Sequence, residues 1–455
     1  MSVLDLIGNT PLIKMSKLFP NIDSEVFAKM EMLNPSGSVK DRAAWAMIKG
    51  AEEKGKIKTG DTIIEYTSGN LGIALAMVAS VRGYKCILVT NNAVSREKLR
   101  LMKHFGAKVI IGDALLPRTH HNHPKTILEE LVKSHSDYYY PDQYTNQLNP
   151  NAHFCTTGPE IWEQMSHNID YFVATIGTGG TISGIGKYLK SVNSEVKVIG
   201  VDPVGSILGE YFKTKTMGEG KVWFTEAIGQ MDFIPQTTHF EYVDDVVKVT
   251  DFEALSWAKN LVLREGVNAG WSSGSAIAGT HKLINKFQGK RIVVLLPDNS
   301  DRYLLKFLSW NYQSRVNLIE NRLKISDILK AREKRVLIKA ERWELMSAVL
   351  NRSLKTGSPH IIVTDDGKII GKIEQETIVM NLEEDILFSD YPLEFLIEKA
   401  YPVLDVNDPL KSLILEVKKS ECVLIIKNGE PIDLVCRADL VSKDFLENID
   451  YSEVL

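Results

Sequence analysis

Cysteine is scarce in this chain. Cys86, Cys155, Cys422 and Cys436 are the four among 455 residues, and no two stand at a CxxC spacing. A disulfide framework and a zinc knuckle are therefore disfavoured, and a reducing cytosol fits. A surplus of one charge is missing too. The formal net charge is −4 and the pI is near 6.2, which gives no electrostatic case for nucleic acid or an anionic membrane surface. No apolar run is long enough to span a bilayer. The opening MSVLDLIGNTPL lacks the basic patch and apolar core of a signal peptide. The expected location is the cytoplasm, with no membrane and no nucleic-acid partner.

What is present is ordinary globular composition, 44% hydrophobic and 25% charged, in a chain too long for one core. From about residue 25 to 310, short β-rich runs alternate with longer helical ones. EVFAKME, DTIIEY, KCILVT, AKVIIG, YFVATIG, VKVIGVD and RIVVLLP read as strands, and the stretches Leu71 to Arg82 and SREKLRLMKHFG as helices. Apolar strands alternating with amphipathic helices predict an α/β fold with mostly parallel sheets. Ligands in such folds sit beyond the carboxyl ends of strands, often at helix N-termini.

After WNYQSRVN the texture changes. SPHIIVTDDGKIIGKI and ECVLIIKNGEPIDLV share one layout: apolar strand, Asx-Gly turn, apolar strand. An amphipathic helix precedes each, so two copies of a β-α-β-β unit should form a small α+β domain. The expected domains are 1–315 and 324–455, with the boundary between about 312 and 324.

Four small-residue motifs each lead into a helix, the first three of them from a strand. In NPSGSVKDR, Lys40 opens a helix after a polar loop. Burial and a helix N-terminus both lower the pKa of an ammonium, as a Schiff-base lysine requires. The plain alternative is a surface lysine in a capping turn. TSGN (Thr67 to Asn70) leaves backbone N–H groups free for a carboxylate, or is simply an N-cap. GTGGT (Gly177 to Thr181), before a helix expected from Ser183, can fold into an N–H cradle for phosphate. No Gly-Lys-Ser/Thr follows it, and Ile182 stands where GxGxxG would need glycine, so Walker and nicotinamide sites are disfavoured. WSSGS (Trp271 to Ser275) is a fourth such turn, with a tight N-cap as its plain reading.

In this order the four motifs resemble the fold-type II pyridoxal-phosphate (PLP) enzymes of the cysteine synthase and cystathionine β-synthase family. The likeness runs from IGNTPL (Ile7 to Leu12) to LLPDNSDRYLLKFL (Leu295 to Leu308). It implies two α/β subdomains and PLP as cofactor. Lys40 would be the Schiff-base lysine and then the general base at the α-carbon. Asn70 would bond the ring hydroxyl, Gly177, Thr178, Gly179, Gly180 and Thr181 the phosphate, and Ser273 would face the pyridine nitrogen. Thr67, Ser68 and Gln143 (in PDQYTN) would hold the substrate carboxylate. The implied reaction is β-replacement on small amino-acid substrates, through an aminoacrylate.

DPVGSILGE (Asp202 to Glu210), DFIP (Asp232 to Pro235) and the tandem C-terminal unit resemble the cystathionine β-synthase branch, whose substrates are L-serine and L-homocysteine. There are departures. Leu71 replaces the threonine that usually ends TSGNT, and TSGNL is similar to synthases that join O-phosphoserine to glutamate. AIGQMDFIP has an extra residue and lacks an aromatic. A cysteine synthase using O-acetylserine and sulfide, or a diaminopropionate-type synthase, is the alternative. A catalytically weak ligand-sensing protein is the alternative from another class. Only six residues precede Ile7, so the haem that animal members bind through an N-terminal extension is not expected, and with no familiar ligand spacing no metal is expected either.

The C-terminal unit resembles the regulatory modules named after cystathionine β-synthase (CBS modules), which bind adenosyl ligands such as S-adenosylmethionine through a Thr and an Asp. Here Glu374 and Thr377 occupy those places in the first copy, and Cys436 and Asp439 in the second. An adenosyl effector is one expectation, a structural or dimerising role the other. The family resemblance and the frequency of two-fold assemblies both imply a homodimer. THHNHP (Thr119 to Pro124) reads as a solvated insertion rather than a metal site, Tyr138 to Tyr140 as a strand end, and Cys155 as inert.

Overall fold

The structure, a computed structural model, describes the chain except Asn21, Ser68, Leu115 and residues 308–323, 330–334, 385–388, 437–438 and 440–455. The chain divides into two compact units, Met1–Val316 and Asn317–Leu455. The expected boundary region before 324 lies outside the described residues.

The apolar runs of the first unit build two sheets. Six strands, β1 (Leu12–Lys14), β2 (Glu25–Met30), β7 (Tyr171–Thr175), β8 (Lys197–Pro203), β9 (Asp245–Val249) and β10 (Arg291–Leu296), take the order β1-β2-β10-β7-β8-β9. Only β1 runs antiparallel. The second sheet is all parallel: β3 (Thr62–Tyr66), β4 (Lys85–Asn91), β5 (Lys108–Gly112) and β6 (Tyr138–Tyr139), in the order β5-β4-β3-β6. All seven strand readings in this unit correspond to strands of these sheets. Each apolar side chain that the central strands bury contributes about 1.5–3 kcal/mol. In β10, Ile292 to Leu296 are all buried, as expected of a parallel strand covered on both faces.

The helices on these sheets follow their composition. α1 (Lys40–Glu53) leaves the loop after β2, and α2 (Asn70–Arg82) leaves β3. From Asn70 to Ala79, α2 is buried on every side, so its Ala-rich, uniformly apolar sequence marks a central core helix. Ser95 caps the helix Arg96–His104, accepting from Lys98 N. His123 caps the helix Pro124–Ser134, with Pro124 in its first turn, so part of THHNHP is spent on a helix start. Tyr138 and Tyr139 are half-buried in β6.

The glycine loop departs from expectation. Its helix, Gly180–Val192, begins at Gly180 rather than Ser183, so the last two residues of GTGGT form the helix's first turn. Gly179, at φ +80°, makes the bend before it.

The second unit contains two three-stranded sheets with the same plan. In the first, β11 (Ile338–Glu341) pairs parallel with β12 (His360–Asp365), which forms a hairpin with β13 (Lys368–Glu374). In the second, β14 (Val403–Asp405) pairs parallel with β15 (Cys422–Lys427), and β15 forms a hairpin with β16 (Glu430–Cys436). Asp366-Gly367 and Asn428-Gly429 all have positive φ, the two-residue turn that favours Asx-Gly. Both hairpins shift register at matching places, Val363/Thr364 and Ile425/Ile426.

The expectation of no disulfide is corrected here. Cys422 and Cys436 are register partners at the open end of the β15–β16 hairpin and are joined by a disulfide, Cα to Cα 3.9 Å. Their separation of 14 residues hides the contact in sequence, and strand pairing creates it. Among the described residues, no helix is long and apolar enough to cross a membrane.

Candidate active site

The four small-residue motifs converge in the first unit. WSSGS opens the helix Trp271–Leu283, while NPSGSVK follows β2, TSGN follows β3, GTGGT follows β7, and PDNSDR follows β10. The last four lie at carboxyl ends of parallel strands, where open α/β sheets bind ligands. Lys40 lines a small pocket of about 30 Å³ together with Asn70, Gly177, Thr178, Gly179 and Thr181. It also lines a cleft of about 460 Å³ with Thr67, Asn70, Leu71, Gln143 and Gly177. Lys40 is therefore the hinge between the glycine cradle and a substrate-sized space. Ser68 lies outside the described residues.

Burial pushes the Lys40 ammonium down to about 8, although the Asp298 carboxylate partly supports its charge. Among the described residues nothing accepts a hydrogen bond from its Nζ. The loop that presents it is fixed from two sides. Asp41 Oδ2 accepts from Ser36 N at 2.6 Å, and Arg302 donates to the Ser36 carbonyl. Gly37, at φ +87°, lets the loop pass Arg302, where a Cβ would come within 2.7 Å of Nη2.

Asn70 is held at both ends of its amide. Nδ2 donates to Asp298 Oδ2 at 2.6 Å, and Oδ1 accepts from Arg302 Nη1 at 2.9 Å. Asp298 also accepts from the Tyr303 hydroxyl at 2.5 Å. Thr67 Oγ1 accepts from Gly69 N and Gly72 N at 3.1 and 3.2 Å, so the hydroxyl caps α2, and the residue lines the cleft. Gln143 Nε2 donates to the Tyr66 carbonyl at 3.1 Å.

The cradle can only be glycine. A Cβ on Gly177, Gly179 or Gly180 would approach Ala227 O, Thr238 Oγ1 or Asn149 Oδ1 to 2.6, 2.0 or 2.2 Å. Asn149 Nδ2 donates to Thr178 Oγ1 at 3.2 Å and to the Gln143 carbonyl at 2.9 Å. Thr181 Oγ1 lies 3.2 Å from His153 Nε2. Burial holds that imidazole well below its usual range, so it is neutral. A glycine-walled pocket with threonine hydroxyls, a helix N-terminus, no carboxylate in its lining and one lysine fits a phosphate-bearing aldehyde cofactor.

Ser273 sits differently from the sequence expectation. It is fully buried, its hydroxyl donates to the Asp298 carbonyl at 3.2 Å, and the pocket is lined by Ser272 instead. One residue of helix rotation separates the two, and WSSGS alone does not say which serine turns inward. Asp298, Arg302, Asn149 and His153 were also missed as site residues. Asp298 and Arg302 stand in the PDNSDR stretch whose likeness closes the first domain, which was the available signal.

Comparison with known proteins agrees with this geometry. The family model described as pyridoxal-phosphate dependent enzyme matches residues 3–298. The chain is 44% identical over 314 residues to the cystathionine beta-synthase of Apis mellifera, covering 68% of this chain and 61% of that protein. It is 41% identical over 315 residues to that of Dictyostelium discoideum, with the same two coverages. The matched part thus spans about 61% of the length of these relatives. Among solved structures, O-ureido-L-serine synthase superposes with a TM-score of 0.62 at 33% identity, covering 67% of this chain and 93% of that one. A hydrogen sulfide-producing enzyme from Fusobacterium nucleatum gives 0.61 at 35% identity, covering 67% and 99%.

Proposed function

Because this chain belongs to the family of pyridoxal-phosphate-dependent enzymes, we propose that it catalyses β-replacement as a cystathionine β-synthase, joining L-serine and L-homocysteine with loss of water. The observation that carries the reading is Lys40, half-buried and pushed to about 8, where the cradle meets the cleft. Bound PLP supplies the electron sink for charge at the substrate α-carbon.

The protein's own residues do the rest. Lys40 Nζ takes the α-proton as general base. Backbone and hydroxyl donors of Gly177 to Thr181 hold the phosphate. Asn70, fixed by Asp298 and Arg302, orients the ring through its hydroxyl. A serine of the WSSGS turn would face the ring nitrogen, and the pocket lining favours Ser272 over Ser273 for that role. Thr67, Ser68 and Gln143 hold the substrate carboxylate.

A second reading has its own support. Leu71 lines the cleft in place of a hydroxyl, and Arg118 and Lys125 line it too. These two cations, Arg118 paired with Glu129 and Lys125 3.9 Å from Asp232, support an anionic leaving group such as the phosphate of O-phosphoserine.

The reading extends to the second unit as a tandem CBS-type module, in a cytoplasmic homodimer. The four positions set aside for an adenosyl effector are engaged within the unit. Glu374 bonds His360 and Tyr401, Thr377 bonds Glu398, Cys436 is in the disulfide, and Asp439 accepts from Cys436 N. That engagement favours the structural or dimerising role.

The test is a product analysis on PLP-loaded protein. L-serine, O-acetylserine and O-phosphoserine are each offered with homocysteine, sulfide or glutamate, and products are identified by mass. Cystathionine from serine and homocysteine is expected. Product from activated serine alone would replace the first reading with the second.

A further inference from the structure

The second unit carries a cluster that the β-replacement reading does not use. His360 opens β12 in the first copy of the repeat, while Cys422 and Cys436 face each other across the β15–β16 hairpin of the second. A ring nitrogen of His360 and both sulfurs lie within 4.8 Å of one another. We propose that the reduced cysteine pair and His360 form a site for a thiophilic d¹⁰ cation, such as Zn²⁺ or Cu⁺, which the Cys422–Cys436 disulfide closes.

Three independent contacts support a ligand set rather than a chance grouping. His360 Nδ1 lies 2.7 Å from Glu374 Oε2 and 3.0 Å from the Tyr401 hydroxyl. A carboxylate on one ring nitrogen fixes the tautomer and leaves Nε2 with its lone pair for a metal. Arg335 Nη1 lies 3.0 Å from Cys436 Sγ, so a donor side chain already addresses one of the two sulfurs. A cavity of about 850 Å³, lined by His360, Glu374, Tyr401 and Cys422, lies beside the cluster and admits cation and reductant. Two thiolates and one imidazole with a fourth position open suit a tetrahedral soft-metal site better than Mg²⁺ or Ca²⁺, which require oxygen ligands.

The switch balances. Two molecules of a low-molecular-weight thiol break the S–S bond by successive exchange and leave as their own disulfide, and Cys422 and Cys436 become thiols. On binding the cation each thiol releases its proton to solvent. The metal would then tie β12 to the β15–β16 hairpin, linking the two halves of the repeat.

The experiment uses the full chain with PLP bound and Co²⁺ as probe. One sample is oxidised, and the other is reduced with a trialkylphosphine, which takes its oxygen from water, and then desalted. One equivalent of Co²⁺ per chain, with the red ligand-field bands of tetrahedral cobalt thiolate, is expected only in the reduced sample. Zn²⁺ should displace it. Cys436→Ser and His360→Ala should lose the bands, and Glu374→Gln should weaken binding by roughly 10–100-fold. The proposal is overturned if reduced wild-type protein shows no thiolate bands, or if the oxidised sample binds equally. Bands that persist in a Cys422→Ser/Cys436→Ser double variant would also overturn it, since the metal would then be elsewhere. The oxidised and reduced wild-type samples share one sequence, so a folding defect in a variant cannot decide the result.

Discussion

Asn70 donates its side-chain amide to Asp298 Oδ2 at 2.6 Å, across 228 residues of sequence. The contact joins the start of α2 to the loop after β10, and so ties one sheet to the other beside Lys40. Asp298 has a second effect, because its negative charge partly offsets the burial that lowers the Lys40 pKa.

Asp298→Asn should therefore act twice. It removes the charge facing Lys40 and weakens the acceptor that holds Asn70 and Tyr303. Apoprotein captures PLP through a neutral amine, so wild-type capture should rise with pH about a midpoint near 8, not near the ordinary 10.5. The variant's midpoint should fall below that of the wild type. Retention of PLP should drop by about tenfold, as loss of a charge-assisted hydrogen bond implies. Stopped-flow absorbance across pH reads both.

Lys40→Ala should leave the fold intact, because the residue lies at a cavity wall and its Nζ has no partner among the described residues. Turnover should fall by about 10³-fold or more, with loss of the visible Schiff-base absorbance. Retained activity would remove Lys40 from the mechanism.

Gly179→Ala tests the cradle. The added methyl would meet Thr238 Oγ1 at 2.0 Å at a backbone φ of +80°, so the loop must move. PLP retention should fall by about tenfold or more while melting changes far less, because the strain is confined to one loop. Equilibrium dialysis of the cofactor checks it.

Much of this was legible in sequence because local rules and tertiary demands agree. The runs RIVVLLP and YFVATIG read as buried strands and are. DDG and KNG read as hairpin turns, and Asp366-Gly367 and Asn428-Gly429 have the positive φ that such turns require. Side-chain direction was not legible. Whether Ser272 or Ser273 faces the pocket depends on the phase of a helix that is buried all round from Trp271 to Thr280. The Cys422–Cys436 pair depends on strand register, and Asn149 matters only because folding sets the Gln143 and Thr178 loops on either side of it.

Acid stability should report Glu160. Burial pushes this carboxyl up, but Arg42 and Lys29 outweigh that and hold it at about 2. A folded pKa below the ordinary 4.5 stabilises the protein above 4.5, and the contribution is lost as pH falls from there to about 2. Its size is about 3 kcal/mol. Glu160→Gln should flatten that part of the stability-against-pH curve. It should also cost about 3–5 kcal/mol at neutral pH, because Arg42 and Lys29 lose a buried partner. Urea unfolding followed across pH measures both.

Leu71→Thr asks what the unusual residue of TSGNL does. Leu71 is 2% exposed and belongs to the core cluster around α2, yet it also lines the cleft beside Thr67 and Gln143. Threonine there would add a hydroxyl where the substrate carboxylate is proposed to bind, at the cost of core volume. Stability should fall by about 2–4 kcal/mol, within the range for large-to-small core changes. KM for serine should drop several-fold, by about the worth of one hydrogen bond to a charged group, while KM for the acceptor stays constant. If KM for serine rises instead, Leu71 serves the cleft through its shape, and the native donor carries a group that the leucine side chain accommodates better than a hydroxyl would. That outcome would favour an activated serine over serine itself, and the same variant assayed with O-acetylserine and O-phosphoserine would identify which one.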